Sequence, residues 1–107
     1  MKTCEIYLIT PNIVNCEINP HSDKGQVLLA LRGIKINFPN GNSIRGSTFE
    51  YLQSTITVTE QMPMEVRQQF FRIKENLKNI LNELITQNFI KLSYVNYTNN
   101  LPYGIIA

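Results

Sequence analysis

Hydrophobic and polar residues follow two different periods along the chain, and the change falls near residue 60. Residues 3–59 carry apolar positions in alternation or in short runs, which is typical of β-strands. From Pro63 to about residue 88 the apolar positions recur at every third or fourth residue, and Pro63 suits the first turn of a helix. Residues 89–97 return to alternation. The pattern predicts several strands, one long helix and a last strand.

Two hairpins are predicted in the strand region. The apolar runs 4–10 and 13–18 flank Pro11 and Asn12, which suggests a first hairpin that would place Cys16 opposite Tyr7. Farther along, residues 34–38 alternate between apolar and polar and lead into Asn40-Gly41, the pair that a type I′ turn favours. This segment predicts a second hairpin.

Two further segments are predicted as strands without a clean alternation. Residues 26–32 carry apolar side chains on both faces, as a central strand does, and residues 19–25 before them are dense in turn formers and predict an exposed loop. Residues 48–59 change phase, and a bulge near Leu52 or Gln53 would restore one inward face.

With 107 residues, the chain is predicted to form a single α+β domain over 1–107. A curved antiparallel sheet of five or six strands would pack on the long C-terminal-half helix, and a final strand would follow it. The apolar tail 101–107 is expected to dock on this domain.

The predicted helix carries two stripes. The first is a seam that should face the core and has alternating spacings of four and three residues: Val66, Phe70, Ile73, Leu77, Ile80 and Leu84. The second stripe lies about 100° round the helix and interleaves basic with apolar residues. Its members are Arg67, Phe71, Lys74, Lys78, Leu81 and Ile85.

Both the width and the length of this helix predict self-association. The two stripes together cover about half of the circumference, more than one sheet face normally covers. A helix of about 25 residues is also about 38 Å long, against a radius of gyration of about 13 Å for a domain of this size. We therefore expect a homodimer or higher oligomer, with Phe71, Leu81 and Ile85 in the interface.

The charge is small and unevenly placed. Ten basic residues against eight acidic ones give a net charge of +2, well short of the basic excess of a dedicated duplex binder. The excess falls in residues 63–107, and Arg67, Lys74 and Lys78 lie on the second stripe beside Phe71. Two interpretations stay open: the four residues bind an anionic ligand or an acidic partner, or the basic stems cover apolar surface at a dimer edge.

The sequence does not favour a catalytic site or a metal site. His21 is the single histidine and lies beside Ser22 and Asp23, but the members of a catalytic triad converge from separate elements rather than from one short loop. Cys4 and Cys16 match neither a zinc nor a redox spacing, so no metal or cofactor is expected. Reduced thiols, the lack of an 18-residue apolar run and the lack of a signal peptide predict a cytoplasmic protein.

The first functional hypothesis is a small non-enzymatic binding protein that acts as a homo-oligomer by stoichiometric capture of a protein or a small anionic ligand. Thirteen Asn, fourteen Ile and two Ala are typical of an AT-rich coding sequence, which suggests as the source an AT-rich bacterium, or a virus or other mobile element that lives in one. One alternative is a single-stranded nucleic-acid-binding protein. The order of strands followed by one long helix resembles small dimeric single-strand-binding proteins of the Whirly and transcriptional-coactivator type, although the strand after the helix departs from it. The other alternative is a minor enzyme with a site at a subunit interface.

Overall fold

The computed structural model describes residues 2–12, 17–37, 41, 43–97 and 105–106. Its elements in chain order are β1 (Lys2–Ile9), α1 (Asp23–Arg32), β2 (Lys35–Asn37), β3 (Ser43–Ser47), α2 (Phe49–Thr55), α3 (Met64–Thr86), β4 (Ile90–Tyr97) and β5 (Ile105–Ile106). The fold class is α+β, as predicted, and the long helix and the strand after it are confirmed.

The sheet is open and antiparallel, and its four longer strands lie in the order β4-β1-β3-β2. β4 pairs with β1 along its whole length, from Lys2 opposite Tyr97 to Ile9 opposite Ile90. The two residues of β5 pair with β2, so this part of the apolar tail lies against the sheet. The prediction of five or six strands is not confirmed.

The segment predicted as a central strand, 26–32, is the helix α1 instead. Its start is defined by Ser22, whose hydroxyl accepts a hydrogen bond of 3.1 Å from the N–H of Gly25, while Asp23 places a negative charge in the first turn. Most of the following residues are good helix formers. Val27, Leu28 and Leu31 are buried on one face of this helix while Leu29 is exposed, and the predicted loop 19–25 ends at Ser22.

The segment predicted as a bulged strand, 48–59, contains the helix α2. Thr48 caps it by accepting a hydrogen bond of 3.2 Å from the N–H of Tyr51, and Glu50 lies in the first turn. The change of phase at Leu52 is therefore a change to helical spacing, because Leu52 is fully buried while Gln53 to Thr55 are exposed.

Of the two predicted hairpins, only the second forms. β2 and β3 pair from Lys35 opposite Arg45 to Asn37 opposite Ser43. The first hairpin is wrong, because Tyr7 lies opposite Ser47 on one side and Leu92 on the other, so the end of β1 nearest the expected turn has neighbours on both edges. Residues 13–16, including Cys16, lie outside the described part of the chain, as do the turn residues 38–40 and 42.

A tight turn connects α3 to β4. Asn88 has a positive φ of 65°, its N–H bonds to the carbonyl of Ile85, and the N–H of Phe89 bonds to the carbonyl of Leu84. These two bonds define a Schellman motif, in which asparagine is an accepted substitute for glycine. Phe89 and Leu84 also belong to the same apolar cluster, the side-chain contact that accompanies this motif. The turn therefore ends α3 and leads directly into β4.

One buried cluster combines all three helices with the sheet. It includes Tyr7 of β1, Leu31 of α1, Leu52 of α2, Leu77 of α3 and Ile90 of β4. Four of the six residues of the predicted seam are buried, and Phe70 packs against the cluster while half-buried. Most of the wide apolar arc of α3 is thus covered within the chain, by a sheet and two helices instead of a sheet alone, while Phe71 stays exposed.

The length of α3 does not require a second copy either. Its 23 residues span about 34 Å, and the molecule is 43 Å along its longest axis, with a radius of gyration of 14.3 Å. Both reasons for predicting self-association through α3 are therefore removed.

Candidate functional site

The four predicted binding residues form part of an exposed line along α3. We define the exposed stripe as Met64, Arg67, Phe71, Lys74 and Lys78, which follow one another at helical spacings of three and four residues. Met64 and Phe71 are 60% and 56% exposed. Arg67 and Lys74 are half-buried, and Lys78 is exposed. The exposed stripe is about 21 Å long, with two large apolar side chains spaced among three cations.

The rest of the second stripe does not reach the surface as predicted. Leu81 is 0% exposed and belongs to the core cluster, and Ile85 packs against that cluster while partly buried. Of the three residues expected at an oligomer interface, Phe71 alone is highly exposed. The cause is the core cluster that the helices form with the sheet, which includes Leu81 and against which Ile85 packs.

Lys78 makes the most specific contact of the exposed stripe. Its Nζ donates a hydrogen bond of 2.8 Å to the hydroxyl of Tyr7, a residue of β1 that is 1% exposed. The same Nζ lies 5.3 Å from the ring centre of Phe49 and 5.5 Å from that of Tyr7, within the range of cation–π attraction. The ammonium is thus held at the junction of α3, β1 and the start of α2.

The surroundings of this ammonium are acidic. The hydrogen bond to Tyr7 raises the pKa of Lys78 above its ordinary value, and the charges of Glu5 and Glu50 act in the same direction, against the effect of burial. Burial raises the pKa of the Cys4 thiol, and the same two carboxylates add to that rise. Lys78 therefore stays protonated and Cys4 stays a thiol at neutral pH, so neither group is prepared to act as a nucleophile.

Arg67 carries an unsatisfied polar group. Its Nε is buried and has no hydrogen-bond partner within the described residues. A buried donor without an acceptor is costly, and a carboxylate is the acceptor that a guanidinium binds best. This Nε is shielded from solvent, so a carboxylate of a partner would meet the rest of the guanidinium, which makes no ion pair with any described residue; the ammonium of Lys78 already donates to Tyr7.

A second polar cluster joins α1 to α3 and was missed in the sequence. Arg72 contacts Asp23 through two hydrogen bonds, of 2.7 and 2.9 Å, and Gln69 donates to the same carboxylate at 3.1 Å and to the carbonyl of His21 at 2.8 Å. The hydrogen bonds from Arg72 hold the pKa of Asp23 below its ordinary value. The side chain of Asp23 thus joins the start of α1 to α3. The signal for this role was Asp23 directly after the N-cap Ser22.

Beyond the exposed stripe, large apolar side chains are exposed on β4. Leu92 and Tyr94 are 38% and 60% exposed, and the β1–β4 register places them opposite Tyr7 and Glu5. They lie on the same face of the sheet as the helices. The alternation of Ile90, Leu92 and Tyr94 was visible in the sequence, but its position on an edge strand was not.

A small cleft lies between the three helices. It has a volume of about 90 Å³ and is lined mainly by apolar groups of Val27, Ala30, Ile56, Phe70 and Ile73. This volume is well below the roughly 300 Å³ at which small-molecule sites begin. Within the part of the chain that the structure describes, no group of three or more His, Cys, Asp or Glu side chains is placed to hold a metal ion.

Comparison of the chain with family models, with curated proteins and with solved structures gives no match. Among the described helices, none is both long enough and apolar enough to cross a bilayer.

Proposed function

We propose that this chain is a non-enzymatic binding protein that captures another protein stoichiometrically through the exposed stripe of α3. The observation that carries the proposal is the 56% exposure of Phe71, a large aromatic side chain placed between the half-buried cations Arg67 and Lys74. Exposed aromatic side chains and arginine are enriched at protein interfaces, and an aromatic ring surrounded by adaptable polar groups is a common anchor.

The chemistry of the exposed stripe favours a partner with acidic residues around an apolar side chain. Neither Arg67 nor Lys74 makes an ion pair with any described residue. Met64 and Phe71, about two helical turns apart, would meet apolar groups of the partner. An amphipathic helix with apolar and acidic residues at spacings of three and four satisfies both requirements.

Capture of a small anionic ligand, the other possibility that the sequence raises, fits the exposed stripe less well than capture of a protein. A compact anion needs convergent donors, but the Nζ of Lys78 is bound to Tyr7 and is subject to the charges of Glu5 and Glu50. The remaining cations, Arg67 and Lys74, are spread along a convex helix face instead of enclosing a pocket. A protein surface can use such an extended line of groups, and a small anion cannot.

The proposal can be tested without knowing the natural partner. A library of helical peptides of random sequence is selected against the immobilised protein, and the affinities of the enriched peptides are measured by fluorescence anisotropy. We expect the enriched peptides to combine acidic and apolar residues at helical spacing. Phe71→Ser should weaken their binding by about tenfold or more, the effect of losing one anchor residue.

Leu29→Ser is the matched control, because Leu29 is 49% exposed but lies on α1, away from the exposed stripe. Equal losses in the two variants, or no enrichment of acidic peptides, would contradict the proposal. A labelled single-stranded oligonucleotide is titrated in parallel at several salt concentrations. If it binds, and if replacing Arg67, Lys74 and Lys78 by Gln flattens the salt dependence by about 0.7 per lost contact, the nucleic-acid alternative replaces the proposal.

A further inference from the structure

β4 forms one edge of the sheet, and its outer side pairs with no strand among the residues that the structure describes. The strand is eight residues long, and its partner β1 occupies one side along that whole length. A free edge of this length presents a row of unpaired main-chain groups, which is a template for pairing with another strand.

The backbone hydrogen bonds show which groups of β4 point outwards. Thr10 continues the β1–β4 register opposite Phe89, and its N–H donates to the Phe89 carbonyl at 3.0 Å. Hydrogen-bonded and non-hydrogen-bonded pairs alternate in an antiparallel ladder, so every second residue from Lys91 onwards is bonded to β1. The N–H and C=O groups of Leu92 and Tyr94 then point to the free edge. Leu92 and Tyr94 therefore combine an exposed apolar side chain with main-chain groups that are free to pair with another strand.

We propose that β4 pairs antiparallel with β4 of a second copy of this chain, so that the two sheets become one continuous sheet across a twofold axis. The residues that point outwards must face each other in such a pair. Of the registers that meet this condition, the one with the most hydrogen-bonded pairs within the strand places Leu92 opposite Tyr94 of the partner subunit and puts Ser93 on the twofold axis. This Leu92–Tyr94 pair and its symmetry mate then lie at the centre of the interface, on the face of the sheet that carries the helices.

A second copy fits this edge for two reasons besides its free hydrogen-bonding groups. Lys91 is the charged residue of β4, and in this register it faces Val95 of the partner subunit and not its own copy, so like charges are kept apart. Four hydrogen-bonded pairs, at two bonds each, give about eight main-chain hydrogen bonds, close to the roughly ten of a typical interface. The strand is therefore complementary to itself, as a twofold interface requires.

Disulfide trapping tests both the pairing and its register. In a Cys4→Ser, Cys16→Ser background, Ser93→Cys places two thiols across a non-hydrogen-bonded pair, where the Cα atoms are about 4.5 Å apart and a disulfide fits. Lys91→Cys is the matched control on the same strand, because its copy is displaced by about 13 Å along the strand. With copper phenanthroline as oxidant, we expect a covalent dimer from Ser93→Cys and none from Lys91→Cys.

The oligomeric state of the chain without added cysteines gives the second measurement. We expect light scattering to show a dimer that dissociates on dilution. Tyr94→Pro should raise its dissociation constant about tenfold or more, because the Tyr94 N–H bonds across the new interface and not to β1. Tyr94→Lys, which keeps the strand, should act in the same direction, and circular dichroism of both variants reports on folding.

Three results would overturn the proposal. The first is a monomer mass at every concentration, and the second is trapping of Lys91→Cys as fast as of Ser93→Cys. The third is a dimer that Phe71→Ser dissociates while both Tyr94 variants leave it intact, which would return the interface to α3. Because Phe71→Ser should leave the β4 dimer intact, this proposal and the proposed capture of a protein can fail separately.

Discussion

The Nζ of Lys78 satisfies the hydroxyl of Tyr7, and the 2.8 Å hydrogen bond between them joins the long helix to an inner strand of the sheet. Tyr7 is almost completely buried, so its hydroxyl depends on a partner from within the chain. The exposed stripe is therefore anchored to the core at Lys78, while Met64 and Phe71 remain exposed.

Lys78→Met should destabilise the protein by about 1 kcal/mol, because it removes the donor and keeps most of the side-chain stem. In a Tyr7→Phe background the same substitution should have a smaller effect, since the hydroxyl is already gone. Urea unfolding of the four proteins in a double-mutant cycle measures the difference. Lys74→Met is the control on the same helix, and an equal cost there would show that the contact with Tyr7 contributes nothing.

The contact between Asp23 and Arg72 should make stability depend on pH in the acid range. Because the pKa of Asp23 is lowered in the folded state, its contribution is fully present above the unfolded value of about 3.9 and is lost as the pH falls through the lower folded value. Asp23→Asn should therefore be less stable than the wild type at pH 7, and the difference should shrink below about pH 4. Urea midpoints from pH 7 to pH 2 measure it, and a difference that stays constant with pH would contradict the assignment.

Leu81→Ala should cost about 2–5 kcal/mol, as truncation of a fully buried leucine does. Leu81 lies in the core of the single chain, so the loss should be the same at low and high protein concentration. Leu77→Ala, on the predicted seam and equally buried, is the comparison. A loss that appears only at high protein concentration would place Leu81 in an interface, as the sequence alone suggested.

Gly25→Ala should destabilise α1 although alanine is the better helix former. A Cβ at this position would collide with the carbonyl oxygen of Asn19, which belongs to the backbone of the preceding loop. We expect a loss of about 1–3 kcal/mol, as for other overpacked sites. Gly33→Ala is the control, because its nearest neighbour is the Ala30 carbonyl oxygen at 3.5 Å, an ordinary contact. Thermal unfolding measures the melting temperatures of both variants. Equal melting temperatures would contradict the predicted clash at Gly25.

His21→Ala should change the free energy of unfolding by less than about 0.5 kcal/mol. His21 is exposed, and its hydrogen bond from Gln69 is accepted by the main-chain carbonyl, which alanine retains. Peptide binding should also be unchanged. Loss of binding in this variant, with the fold intact by circular dichroism, would revive the hypothesis of an enzyme.

The parts of the fold that were predicted from the sequence are those with a long or specific local signal. α3 repeats one spacing over 23 residues, β4 alternates, and Asn40-Gly41 marks the β2–β3 hairpin. The sequence predicts strands at α1 and α2 because helices of ten and seven residues are too short to show the helical period clearly. Their caps, Ser22 with Asp23 and Thr48 with Glu50, were the signals that could have identified them.

That error also explains what was mistaken about the candidate site. The sequence predicts one sheet face against α3, which is too narrow for the arc that contains Leu81, and so predicts a second copy over it; in the structure Leu81 packs into the core cluster of its own chain. Phe71 and Lys74 were placed correctly on an accessible helix face, since helical periodicity alone determines that. The contact of Lys78 with Tyr7 could not be predicted, because it depends on the order of the strands. The cytoplasmic location and the viral or mobile-element source stay predictions.

The pairing of β1 with β4 has a consequence for how the chain acquires its structure. β1 emerges early during synthesis, but both of its neighbours in the sheet lie later in the chain, and β4 follows only after the whole of α3. Contacts between such distant segments form slowly, and until then the apolar residues of β1 have no sheet to join. We expect the nascent chain to be vulnerable to aggregation through β1 until residues 90–97 are available, so that truncation before β4 would convert a folded domain into an aggregating one.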